Sequence, residues 1–494
     1  MAPDSLTCGR QALPHVVIFP FPAKGHTIPL IQLVHHLRHH QIATVTFFTT
    51  PGNAGFLRAG LSCAGDDNIA IVELDFPADV AGIPPGVESA EGLTSMASFV
   101  PFADAMLLLR PQFEESVAAM QPPASIIVAD MFLYWTNESA ARLGVPNVSF
   151  MGMSSFAHVM REVSVRHNPC AVLHPSDVDK DNNPATFAVP EFPHIKLTYE
   201  DFMAPFGDPS AVGPMMKLSG KLGKVIEESD GLIINTFDGL EAPYIEFLNE
   251  QARPRAWPIG PLCLAQRAYA PCTAARPSWM EWLDEKAVAG RSVLYVALGT
   301  LLAIPEVQLQ EVADGLERAE VDFIWAVRPK NIDLGLGFED RTKERGIVIK
   351  EWVDQLEILR HTSVRGFLSH GGWNSVLESV TAGVPLAVWP MNADQPFNAK
   401  LLVDELKIAT RIWTNDKTIR GLVPSMEISK VVRELMHGDM GAEATKNIAE
   451  LSVHAKEAME DGGSSWIALK DMISELCAAS FNGKEEASNG MADV

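Results

Sequence analysis

The feature that most constrains this chain is an alternation that runs through it twice. A short apolar run rich in β-branched and aromatic residues is followed by a turn, a helical stretch and another apolar run. In the first half the pattern starts at His15 with VVIFP, passes a glycine turn and an amphipathic stretch over 28–39, and resumes with ATVTFFTT. Further runs stand at 70–74, 125–129, 147–151 and 231–235, with helical stretches at 95–119 and 134–143. Strands alternating with helices predict a parallel sheet covered on both faces.

Near residue 260 the texture changes. RPRAWPIGPLCLAQRAYAPCTAARP is rich in Pro, Ala and Arg, has neither periodicity, and is expected to link two domains. Alternation restarts with SVLYVALGT and continues through DFIWAVRP, RGIVIKEW, VRGFLSH and PLAVWP. The expected layout is a domain over 1–260, a linker over 261–280, a second domain over 281–465, a helix over 466–480 that packs back on the first domain, and a disordered tail over 481–494. A chain of 494 residues is long for one core, which agrees with two doubly wound domains. Open sheets of this kind bind ligands outside the carboxyl ends of their strands, so a cleft fed by both halves is expected.

Composition narrows the function. A net charge of −23 argues against a nucleic-acid binder or a protein held on anionic lipid, so any phosphate site must be local. Apolar runs fall short of the roughly 20 residues that span a bilayer, and MAPDSLTCGRQALPH lacks a basic segment followed by an apolar core. Six scattered cysteines without CxxC pairing fit reduced thiols. The expectation is a cytoplasmic monomer with small-molecule partners, no nucleic acid and no stable membrane insertion.

In the second half, SHGGWNSVLESVTAGVP follows an apolar run, which puts Gly371 and Gly372 at a strand-to-helix turn and Trp373 at the start of a helix. Free amides at a helix N-terminus hold anions, so Asn374 and Ser375 suit a diphosphate, with His370 beside them. Glu378, farther along, suits ribose hydroxyls. Upstream, Trp352 and Gln355 flank Val353 and offer a ring and an amide for stacking on a base and bonding its edge. Downstream, Asp394 and Gln395 suit sugar hydroxyls. The plain alternative is a glycine turn and a solvated helix face.

In the first half, FPFPAKGHTIPL places His26 at the carboxyl end of the first strand, and SIIVADMFLYW places Asp130 at the end of another. A histidine can take a proton near neutral pH, and a carboxylate beside it fixes its tautomer. HHLRHH, at 35–40, lacks a metal-ligand companion and gets no function. The D-x-D at Asp177 and Asp179 lies in a polar stretch and reads as a solvated loop. A nicotinamide enzyme is disfavoured because G-x-G-x-x-G is absent and Gly335–Gly337 is an isolated GxG.

WVDQLEILRHTSVRGFLSHGGWNSVLESVTAGVPLAVWPMNADQ, at 352–395, resembles the 44-residue signature of plant secondary-product UDP-glycosyltransferases. GPL at 260–262, SVLYVALGT, FIWAVR and GGSSW at 462–466 extend the likeness over nearly the whole chain. It departs at Asp354, where the family usually has Pro, and at Gly371, usually Cys. The resemblance implies a GT-B fold, two Rossmann-like α/β domains facing each other across a cleft. It implies that Trp352 stacks on uracil, Val353 and Gln355 border the base, and Glu378 binds ribose. Thr300, His370, Gly372, Asn374 and Ser375 would hold the diphosphate, with Trp373, Asp394 and Gln395 at the sugar. Gln395 points to UDP-glucose as donor co-substrate, with no prosthetic group and no metal.

It further implies His26 as general base, oriented by Asp130, in an inverting transfer to a flavonoid or other phenol. C-glycosylation or a silent UDP-sugar binder are the alternatives. Phe21, Phe132, Trp135, Met151, Met153, Phe202 and Asn392 are expected to line the acceptor pocket.

Overall fold

The structure is a computed structural model that describes residues 13–61, 69–174, 177, 184–202, 213–251, 254–265, 276–299, 304–327, 333–415, 418 and 421–490. Seven strands, β1 (His15–Phe19), β2 (Thr44–Thr49), β3 (Ile69–Glu73), β4 (Ile126–Asp130), β5 (Asn147–Met151), β6 (Gly231–Ile234) and β7 (Ala256–Pro258), form one sheet in the order β3-β2-β1-β4-β5-β6-β7. Six more, β8 (Val293–Ala297), β9 (Asp322–Ala326), β10 (Gly346–Ile349), β11 (Val364–Ser369), β12 (Leu386–Val388) and β13 (Ala409–Arg411), form a second in the order β10-β9-β8-β11-β12-β13.

The strand pairings around β1 and β8 are parallel, and both sheets start from the middle and wind outward. In β1, β4 and β5 every residue is buried, as expected of strands with helices on both faces. The edge strand β3 instead mixes exposed and half-buried residues. The second sheet carries a core of Leu294, Val296, Phe323, Trp325 and Leu368 against Val312, Leu316, Ile428 and Val432 of flanking helices.

Two strands of these two sheets escaped the sequence reading, as did a short antiparallel pair, Phe187–Ala188 with Lys196–Leu197. β7 lies inside the stretch read as linker, and β13 is three residues ending in arginine, too short to show a period. The helix expected over 95–119 is broken into Phe99–Ala105, a 3-10 turn and Arg110–Ala118. Pro111, in the first turn of the second piece, has no N–H to give the preceding turn, so the α-helical ladder is interrupted there although Arg110 keeps helical angles.

The chain clusters into two compact units. One comprises Met1–Phe150, Val225–Leu232 and Lys470–Val494; the other comprises Met151–Lys224 and Ile233–Leu469. The segment 151–224, expected in the first domain, thus groups with the second unit. The last helix runs Ser464–Gly490, into the stretch expected as a tail. Among the described residues no helix is long and apolar enough to cross a membrane.

Candidate active site

In the first unit the site begins with register. β1 and β4 are parallel neighbours with Phe19 opposite Ala129, so Asp130 leaves its strand beside the point where the chain leaves β1. The chain then enters helix α1 (Lys24–His39), and His26 falls in its first turn, not in the loop the sequence suggested. Its amide bonds the Ala23 carbonyl at 2.9 Å. From there the imidazole reaches back, and its Nδ1 lies 2.7 Å from Asp130 Oδ2. Asp130 is buried, and its Oδ1 accepts from the Phe132 amide at 3.0 Å, so both carboxylate oxygens are fixed. The His26 side chain keeps 24% exposure.

Aromatic rings surround this pair. Phe21 and Phe132 meet the imidazole edge-on at 5.6 and 5.4 Å between centroids. Phe99 packs on both phenylalanines, at 5.9 and 5.6 Å, and Phe102 backs Phe21 at 5.5 Å. Phe99 and Phe102 were missed because they sit in the segment read as a featureless helix. Trp135 belongs to the core, against Phe19 and Phe113, and Met151 is buried in β5.

In the second unit the ends of three strands are level, with Ala297 opposite Ser369 and Ser369 opposite Val388. After β11 the chain turns through Gly371, at φ +79°, and enters a helix over Trp373–Ala382 with Gly372 as N-cap. A Cβ at Gly371 would come within 2.8 Å of Val388 Cγ2, so glycine here suits this chain's own packing.

His370 lies across two glycines. A Cβ on Gly299 or Gly372 would stand 2.9 or 2.6 Å from its Nε2. Burial pushes His370 down to about 4, so the ring is neutral at neutral pH, and its Nδ1 is shut from solvent without a partner among the described residues. A buried polar atom left unmatched is what a ligand oxygen or water would satisfy.

Gln355 gathers the remaining groups. Its Nε2 donates to Ser375 Oγ at 2.9 Å and to Glu378 Oε2 at 2.6 Å, while its Oε1 accepts from Tyr295 at 3.3 Å. Asp354 caps this short helix, Gln355–Leu359, by accepting from the Glu357 amide, so replacing the usual Pro costs the local structure nothing visible. Burial raises Glu378 to about 7, against the opposing bond from Gln355. Trp352 stands 59% exposed beside buried Val353, a free platform for a flat ring.

Asn374 is half-buried in the first helical turn. Trp373 differs from its sequence role: its ring is buried and its Nε1 donates to the Asn235 carbonyl at 2.8 Å, which leaves only its backbone for a sugar. The same Asn235 accepts from the Leu262 amide, and Ser465 donates to the Gly260 carbonyl, so the GPL, GGWN and GGSSW fragments meet at one point. Gln395 Oε1 accepts from the Met391 and Asn392 amides at 2.9 and 3.0 Å, which turns its NH₂ end outward from that loop.

Asp394 stands at the N-cap position of the helix Gln395–Lys400, without a side-chain capping bond. Met153 and Asn392 are half-buried, and Phe202 is buried edge-on against Phe397. Thr300 and Asp179 lie outside the described residues. Among the described residues, groups of three His, Cys, Asp or Glu that could hold a metal ion are absent.

The family model described as UDP-glucoronosyl and UDP-glucosyl transferase matches residues 264–455. UDP-glycosyltransferase 90A1 of Arabidopsis thaliana is 42% identical over 487 residues, which cover 97% of this chain and 98% of that protein. The crystal structure of Glycyrrhiza uralensis UGT73P12, complexed with glycyrrhetinic acid 3-O-monoglucuronide, matches with a TM-score of 0.81 at 30% identity, over 98% of this chain and 100% of that one. Phytolacca americana UGT2, complexed with UDP-2fluoro-glucose and pterostilbene, matches with a TM-score of 0.76 at 28% identity, over 94% and 99%.

Proposed function

Because the chain belongs to the plant UDP-glycosyltransferase family, and is thus a UDP-dependent glycosyltransferase of GT-B architecture, we propose that it glucosylates a small hydrophobic phenol from UDP-glucose with inversion. The observation that carries the acceptor half is the His26–Asp130 pair beneath the aromatic wall of Phe21, Phe99 and Phe132. Flavonoids and related phenols are the acceptor class proposed, because flat rings suit such a wall.

With Nδ1 held by Asp130, Nε2 takes the proton of the acceptor hydroxyl. The oxygen forms its bond to the anomeric carbon as the bond from that carbon to the diphosphate oxygen breaks, and UDP leaves with the charge. Asp130 stabilises the imidazolium, and no covalent enzyme intermediate is needed. The helix N-terminus at Gly372–Ser375, with neutral His370, is proposed to stabilise the departing diphosphate without a metal. Trp352, Val353 and Gln355 hold uracil, Glu378 the ribose, and Asp394 and Gln395 the glucose in this reading. Buried free Cys170 and Cys263 support a reducing, cytoplasmic setting.

Incubation with UDP-glucose and a panel of phenols in EDTA is expected to give acid-labile monoglucosides. Turnover only on adding Mg²⁺, or acid-stable C-glucosides alone, would contradict the proposal. The raised pKa of Glu378 adds a pH dependence with a definite sign. Ribose hydroxyls donate to the ionised carboxylate, so affinity is lost as pH falls through about 7. Calorimetry should show UDP-glucose binding about 10-fold tighter near pH 8 than near pH 6. Glu378→Gln should flatten that slope; an unchanged slope would assign it to another group.

A further inference from the structure

Asn398 is fully buried in the helix that follows the signature and was given no role by the sequence. Its Nδ2 donates to the Gly371 carbonyl and to Asp394 Oδ2, both at 2.9 Å. Its Oδ1 accepts from Ser154 Oγ, also at 2.9 Å. Ser154 is itself the N-cap of the helix Ser155–His167 and accepts there from the Ala157 amide at 3.0 Å, so its one hydroxyl proton goes to Asn398. That fixes which end of the amide is oxygen and which is nitrogen.

The start of that helix is pinned in turn by buried Glu241, whose oxygens accept from the Ser155 and Phe156 amides at 3.2 and 2.7 Å. Glu241 also takes the Thr236 hydroxyl at 2.6 Å. Every polar atom of the Asn398 amide is therefore committed, and its two donors end on the diphosphate turn and on the carboxylate proposed for the sugar.

We infer that Asn398 is a positioning residue that aims the Asp394 carboxylate at the donor sugar, with Ser154 setting the orientation of its amide. The inference deepens the proposed function and rests on its assignment of Asp394 to the sugar. A carboxylate held by a buried donor bonds a hydroxyl at one angle; without that donor its angle is less restricted, and sugar recognition weakens more than nucleotide recognition, which loses only the tie to the Gly371 carbonyl.

The test is equilibrium binding of UDP-glucose and of UDP to the full chain. Asn398→Ala is expected to weaken UDP-glucose about 10-fold more than UDP. In an Asp394→Ala background that excess should vanish, because no carboxylate remains to be aimed. Ser154→Ala, a milder change that serves if Asn398→Ala does not fold, should shift the ratio in the same direction by about 3-fold. Equal weakening of both ligands, or an Asn398 effect that adds in full to Asp394→Ala, overturns the inference. If Asp394→Ala itself leaves the ratio of the two affinities unchanged, the sugar assignment of the proposed function fails first, and the inference falls with it.

Discussion

Replacing His26 by alanine is expected to lower glucosyl transfer about 10³-fold, within the range for loss of a positioned general base. UDP-glucose affinity should stay within a factor of about two, since the role proposed for His26 is on the acceptor oxygen. The fold should persist: the imidazole is partly exposed, and its edge contacts with Phe21 and Phe132 are worth about 1 kcal/mol each. Asp130→Asn should cost about 10²-fold or more. An amide there offers an NH₂ toward Nδ1 and favours the tautomer with its proton on Nε2, the nitrogen that has to accept. Steady-state rates with saturating donor, beside donor binding by calorimetry, separate the two effects. Retained turnover in His26→Ala would remove the base from the mechanism.

The second large effect is expected from Gly372→Ala. The N-cap backbone, at φ −62° and ψ 138°, is open to any residue, so the cost is steric and not conformational. The new Cβ would stand 2.6 Å from His370 Nε2, and the Gly299 backbone lies near enough to the same ring that a Cβ there would also come within 2.9 Å, which narrows the room for the ring to move. His370 must leave its slot, and the helix start must shift with it. Turnover is expected to fall about 10²-fold, as when one donor to a developing anion is lost. UDP affinity should drop alongside, with thermal unfolding moved by only a few degrees. Unchanged UDP binding would place the diphosphate elsewhere.

How far the sequence spoke depended on whether a feature is local. Both sheets were legible as apolar runs at nearly the right bounds, and the turn at Gly371–Gly372 showed as glycines between a strand and a helix. The convergence of His26 and Asp130 was readable as two strand ends, but the register that sets Phe19 against Ala129 was not. The aromatic wall was hidden because 95–119 read as one helix, and nothing in its spacing shows that Phe99 and Phe102 reach Phe21 across 78 or more positions.

The Asn398 network was invisible for a plainer reason. Its key bond joins Ser154 to a residue 244 positions away, and no spacing rule covers that separation. Trp373 shows the converse: its place in a known signature suggested a sugar contact, while its indole is spent on the Asn235 carbonyl.

Glucosyl transfer by one displacement is tested most directly by the anomeric configuration of the product. UDP-glucose carries an α linkage, and attack by an oxygen activated at His26, opposite the leaving diphosphate, must invert it. Proton NMR of the purified glucoside should show the large anomeric coupling of a β linkage, with no α product at early times. An α-glucoside as the first product would contradict the account, because retention requires a second displacement for which His26 and Asp130 supply no nucleophilic step.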